Sequence, residues 1–167
     1  MNTSEHTLVE LKAKVDSLEH IRRKLEALKA KHVGAFQQTD IYFDVPKGRL
    51  KLRQTDSEKA QLIYYERDNV SKPKRSDIFI MEIPESKAFT ALLKKILKVK
   101  VTVEKTREIY WFDRTQIHLD AVDSLGCYVE FERKTPNAPK EIERNTKRLE
   151  KLMKTLEIDP ESRRHQG

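Results

Sequence analysis

Hydrophobic and polar residues alternate with a period of two through most of this chain, and two stretches break into helical spacing. Leu8 to Val15 reads LVELKAKV, with Val9, Leu11, Ala13 and Val15 on one face, which predicts a half-buried strand. DSLEHIRRKLEALKAK follows, with Leu18, Ile21, Leu25 and Leu28 at helical intervals and Asp16 placed as the N-cap. From Val33 the alternation returns in VGAFQQTDIYFDVP, GRLKLRQ and QLIYYER, with Pro46 and Gly48 marking a turn between the first two. The polar DNVSKPKRSD predicts a loop carrying Lys72, Lys74 and Arg75. IFIMEIP reads as a strand and KAFTALLKKIL as a short amphipathic helix. VKVTVEKTREIYWFD, QIHLDAV and CYVEFERK are further strands, with turns near Arg114 and Leu125–Gly126. A charged helix over about 139–158 aligns Ile142, Leu149, Leu152 and Leu156 on one stripe. Roughly eight strands and three helices in so short a chain predict an α+β fold whose antiparallel sheet curls or closes.

Composition narrows the class. The 167 residues suffice for one domain, with 37% hydrophobic and 37% charged residues, the latter above the ~25% usual for soluble domains. No apolar run reaches the ~18 residues of a membrane span, and MNTSEHTLVELK lacks the basic and apolar regions of a secretory signal. These absences predict a soluble, cytoplasmic protein. The single cysteine, Cys127, has no disulfide partner and reads as a small packing residue, and no Cys/His cluster offers structural zinc ligands. The net charge of +7 favours an anionic partner, either a nucleic-acid backbone or a phosphorylated small molecule.

The polar half of the alternation is heavily charged. Glu10, Lys12 and Lys14 share one face of the first strand, and Arg49, Lys51 and Arg53 oppose Leu50 and Leu52. Lys105 and Arg107 point together, as do His118 and Asp120, and Tyr128, Glu130 and Glu132 oppose Val129 and Phe131. In a half-solvated sheet this would be an ordinary wet face. In a closed sheet the same residues line an interior, where unpaired ions cost several kcal/mol, so a polyanion with a divalent cation is the occupant that balances them.

With these residues in view, VELKAKV, QTDIYFDVPKGRLKLRQ, LIYYERDN and IHLDAVDSLGCYVEFE, taken in this order and spacing, resemble the CYTH family of triphosphate tunnel metalloenzymes, especially its class IV adenylyl cyclase-like branch. The resemblance runs from Val9 to about Lys134. It implies a single domain over 1–167, built as a closed eight-stranded antiparallel β-barrel over about 7–134 with two inserted helices and helices packed outside. It also implies Mg²⁺ or Mn²⁺ as cofactor, and Glu10, Asp120, Glu130 and Glu132 as metal ligands. Lys12, Lys51, Arg53, Lys105 and Arg107 correspond to the phosphate-gripping bases, with Lys12, Arg53 and Arg107 in catalytic roles. Tyr42 falls where relatives place a tunnel tyrosine, or else packs the barrel wall, and Lys74 belongs to a loop that could close over substrate.

The chain departs from the family pattern twice. Leu8 stands where the family's Glu-x-Glu-x-Lys signature has its first acid; Glu5 is out of register, so one metal position is in question. In LIYYERDN either Glu66 or Arg67 takes the place of a lysine. His118 reads as a hydrogen-bonded structural histidine, with acid–base work as its alternative. The expected function is metal-dependent hydrolysis of inorganic or nucleoside triphosphate, with a triphosphate-bearing small molecule as partner and nucleic acid and membrane not expected. The oligomeric state, monomer or dimer, is left open by the sequence. Its rivals are conversion of ATP to cyclic AMP in the same tunnel, and non-catalytic binding of polyphosphate or RNA. No Walker-type Gly-x-x-x-x-Gly-Lys is present, and attack by water requires none.

Overall fold

The computed structural model describes residues 3–57, 59–67 and 74–163, with the side chains of Lys74 and Arg163 left out. The chain runs β1 (Thr3–Val15), α1 (Leu18–Ala27), β2 (Lys31–Phe43), β3 (Arg49–Thr55), β4 (Lys59–Arg67), β5 (Lys74–Ile83), α2 (Ser86–Ile96), β6 (Val99–Phe112), β7 (Thr115–Val122), β8 (Gly126–Thr135) and α3 (Pro139–Thr155), then a short 3₁₀ turn at Pro160–Arg163. The strands close into one barrel in the order β1-β5-β4-β3-β2-β6-β7-β8, each neighbour antiparallel. The expected eight-stranded barrel with helices outside is the observed fold.

Local chemistry shapes the turns. At Pro46–Gly48 the chain reverses with Gly48 at φ +66°, and a Cβ there would lie 2.7 Å from the Tyr64 ring. Asp113 and Arg114 both have positive φ, the geometry that matches a two-residue hairpin to strand twist. Two expectations are corrected. Ser17, not Asp16, caps α1: its Oγ accepts from the Glu19 N–H at 3.2 Å. Lys74 and Arg75 are not loop residues but open β5, where Glu10 pairs with Lys74 and Val9 with Arg75. Their polarity suggested a loop, yet the long-range ladder to β1 decides the conformation. Lys72 lies outside the described residues.

The packed core sits on the outside of the barrel wall. Val9, Leu11, Ala13, Ile117, Leu119, Val129 and Phe131 pack against Leu18, Ile21 and Leu25 of α1 and Leu149, Leu152 and Met153 of α3. On another part of the wall Ile41, Phe43, Leu52, Ala60 and Ile83 meet Phe89 and Leu93 of α2. Polar ties fix the helices in place: Arg22 of α1 reaches Glu108 of β6. Arg133 donates to Asn145 of α3 at 2.7 Å, to Thr115 at 3.1 Å and to the Asp113 carbonyl. With the apolar faces committed outward, the alternation turns every opposite side chain into the lumen.

Candidate functional site

The lumen is built around carboxylates that orient bases. Asp40 of β2 is fully buried and sits beside Arg53 and Lys51 of β3 and Lys105 of β6. Arg53 donates through Nε and Nη2 to the two Asp40 oxygens, both at 2.7 Å, in a bidentate fork. Lys51 Nζ lies 3.1 Å and Lys105 Nζ 3.3 Å from Asp40 Oδ2. Burial opposes ionisation of Asp40, but Lys51, Arg53 and Lys105 overcome it and hold its carboxyl far below the ordinary range. A second fork joins Arg107 of β6 to Asp120 of β7, at 2.7 and 2.6 Å, and Arg107 also donates to Glu130 at 3.0 Å. Burial again resists, and Arg107 with Lys105 keeps Asp120 low. Crowding of cations acts in reverse on Lys105: burial, then Arg107 and Arg53, lower its pKa to about 7.

Two smaller groups complete the lining. Glu10 accepts from Ser76 at 2.9 Å and pairs with Arg67 at 2.5 Å. Burial and the neighbouring Glu130 outweigh that ion pair and push the Glu10 carboxyl up to about 7. Lys12 faces Glu130 across the β1–β8 ladder, with its Nζ 5.0 Å above the Tyr128 ring. Tyr42 faces inward with Lys51 Nζ 5.4 Å from its ring centre, and burial, then Asp40, raises its phenol pKa.

Among the described residues, one group can hold a metal: His118, Glu130 and Glu132 each offer a donor atom, and these atoms all lie within 4.8 Å of one another. One nitrogen and two carboxylate oxygens suit a divalent cation, so the donor chemistry fits the metal that the sequence reading called for. Of the expected ligands, Glu130 and Glu132 belong to this group. Glu10 is adjacent through its register pair Glu132. Asp120 stands apart, with both its oxygens taken by Arg107.

The expected bases Lys12, Lys51, Arg53, Lys105 and Arg107 all face the lumen, while the Lys74 side chain lies outside what is described. The choice between Glu66 and Arg67 is settled: Arg67 turns inward to Glu10, and Glu66 pairs outside with Lys47 at 2.9 Å. Sequence reasoning missed Asp40 although the signal was present, since it lies two residues before the inward Tyr42 and so shares its face.

Comparisons with known proteins place this geometry. The CYTH domain profile matches residues 6–164. An adenylate cyclase-named protein of Methanocaldococcus jannaschii is 26% identical over 155 residues, covering 89% of this chain and 86% of that protein. The structure of the PH1012 protein from Pyrococcus horikoshii superposes with a TM-score of 0.80 at 25% identity, covering 93% of each chain. A Hippeastrum protein, named an adenylyl cyclase and described as having a dominant triphosphatase activity, shares the fold at a TM-score of 0.61 and 18% identity, covering 92% of this chain and 88% of that one. A profile match over nearly the whole chain, on a closed barrel with a charged lumen, settles the family: this chain belongs to the CYTH family.

Proposed function

We propose that this chain hydrolyses triphosphates, inorganic or nucleoside, with the help of a divalent cation, Mg²⁺ or Mn²⁺. The observation that carries the reading is the pair of guanidinium forks, Arg53 on Asp40 and Arg107 on Asp120, set beside the donor group of His118, Glu130 and Glu132. The carboxylates hold both forks in fixed orientation before any substrate arrives, so gripping phosphate requires little reorganisation. Lys12, Lys51, Arg53, Lys105 and Arg107 bind phosphoryl oxygens and offset charge that spreads over them in the transition state. These bases, with Arg67, are nearly balanced by Glu10, Asp40, Asp120, Glu130 and Glu132. A highly charged triphosphate therefore needs further positive charge to enter. Glu130 and Glu132, with His118 and the adjacent Glu10, would hold the cation. When bound, that cation polarises a phosphoryl oxygen and supplies the missing charge.

Tyr42 lines the lumen beside Lys51 and helps position that ammonium. Hydrolysis is the reading preferred over cyclisation, in line with the Hippeastrum protein, which is described as having a dominant triphosphatase activity. The test is release of phosphate and of cyclic AMP, measured together from inorganic triphosphate and ATP, with Mg²⁺, Mn²⁺ or EDTA. Metal-dependent phosphate release is expected. Cyclic AMP without phosphate would assign the chain to the cyclases, and binding without either product would make it a polyphosphate binder.

A further inference from the structure

The polar lumen residue least explained by phosphate binding is His118. It lies inward on β7, 2% exposed, between Gln116 and Asp120 on the same face. A buried imidazole must satisfy both ring nitrogens, and their partners fix its tautomer. Nε2 is 2.7 Å from Gln116 Oε1; a carbonyl oxygen only accepts, so Nε2 carries the proton. In the neutral ring that tautomer leaves a lone pair on Nδ1, the form in which an imidazole binds a metal. Nδ1 faces Glu130 Oε2 at 3.5 Å, and the Glu132 carboxylate completes the group. A cation seated between Nδ1 and the two carboxylates would engage all three groups at once.

We infer that His118 ligates the divalent cation through Nδ1, alongside Glu130 and Glu132, and that this nitrogen biases the site toward Mn²⁺ over Mg²⁺. The inference deepens the metal-dependent reading above and rests on it for the presence of a cation. The geometry is permissive: donors about 2.1 Å from an octahedral centre lie at most about 4.2 Å apart, so the observed 4.8 Å limit closes with small side-chain rotations. Gln116 supplies what ligating histidines usually have, an acceptor on the far nitrogen that fixes tautomer and ring orientation. The ion preference follows from donor type. Mg²⁺ takes oxygen donors and keeps its waters, whereas imidazole suits first-row transition ions.

The experiment reads metal binding on metal-depleted protein without substrate. Mn²⁺ and Mg²⁺ titrations are followed by calorimetry, and pulsed EPR of bound Mn²⁺ reports a directly coupled ¹⁴N nucleus. The wild type is expected to show the nitrogen coupling and to bind Mn²⁺ at least about tenfold more tightly than Mg²⁺. H118Q should lose the coupling and weaken Mn²⁺ by about 10- to 100-fold, with Mg²⁺ changed much less. Q116L should keep the coupling while weakening Mn²⁺ by about tenfold, since it frees the ring without removing the ligand. Absence of nitrogen coupling in the wild type overturns the inference even if H118Q fails to fold, and so does folded H118Q with unchanged Mn²⁺ affinity. Nitrogen coupling without phosphate release would instead sink the hydrolase reading and leave this ligand assignment standing.

Discussion

The two sides of the lumen wall are built on the same strand alternation yet follow opposite logic. On β2, β3, β6 and β7 inward positions carry charge, and each base meets an acid on a neighbouring strand: Arg53, Lys51 and Lys105 on Asp40, Arg107 on Asp120. On β1, β4 and β5 the inward positions include Leu8, Ile63, Tyr65 and Ile78, which pack into an apolar island inside the barrel. Leu8 is 4% exposed there, at the position where the family signature has its first acid. The difference teaches where chemistry can reside. Paired charges stay desolvated at tolerable cost and remain oriented for an anion, whereas the apolar island around Leu8 offers a cation no donor. That leaves the β7–β8 group of His118, Glu130 and Glu132, with Glu10 of β1 beside it, to take the cation.

The comparison can be broken most severely at its charged centre. Asp40→Asn should cost about 3–5 kcal/mol, because it leaves Lys51 and Arg53 buried without their carboxylate and Lys105 with only the more distant Asp120. At about 2–4 °C per kcal/mol for a chain of this size, melting should fall by roughly 10 °C, and added tripolyphosphate should restore part of it. An unchanged melting temperature would show that Asp40 does not organise these bases. Next in size, Arg53→Lys and Arg107→Lys should each lower kcat/KM for triphosphate by about ten- to a hundredfold, since an ammonium cannot reproduce the fork. Near-normal turnover in both variants would remove them from the phosphate grip.

Leu8→Glu sharpens the other side. Burying a carboxyl among Ile63, Tyr65 and Ile78 should destabilise the metal-free protein by about 1–3 kcal/mol. A thermal melt showing no loss would mean that this side is wet. The smallest effect is expected at Lys105→Met. The Lys105 pKa falls from 10.5 in the unfolded chain to about 7 in the fold, so between those values the unfolded state holds the extra proton and stability rises with pH. The burden of Lys105 is thus full below about pH 7, shrinks as pH rises from there, and is gone above about pH 10.5. Lys105→Met should raise stability by about 1 kcal/mol at pH 7, and melts at increasing pH should show the gain shrinking.

The sheet was legible because alternation with a charged polar half repeats in strand after strand, and the resemblance to the CYTH family supplied the closed barrel with that half turned inward. Lys51, Arg53, Lys105 and Arg107 follow from that parity alone. Asp40 was legible by the same rule, since it lies two residues before the inward Tyr42 and shares its face. The orientation of Arg67 against Glu66 depends on the β3–β4 and β4–β5 registers, which are set by pairings remote in sequence. The β5 start at Lys74 likewise depends on β1, some sixty residues earlier in the chain, as the Glu10–Lys74 pair shows. Which acids share a cation is a matter of side-chain approach across the lumen, and strand parity says nothing about it: His118 and Asp120 share a face, yet one faces Glu130 and the other is bound by Arg107.

Placing the packed core outside the barrel wall has an evolutionary consequence. In most globular domains a change at the centre of the molecule disturbs the packing on which folding depends. Here the strands are held by α1, α2 and α3 from without, and the centre is a chamber whose residues can be exchanged with small penalty provided charges stay matched. A scaffold of this kind lets substrate preference drift while the architecture persists, in keeping with a TM-score of 0.80 retained at 25% identity.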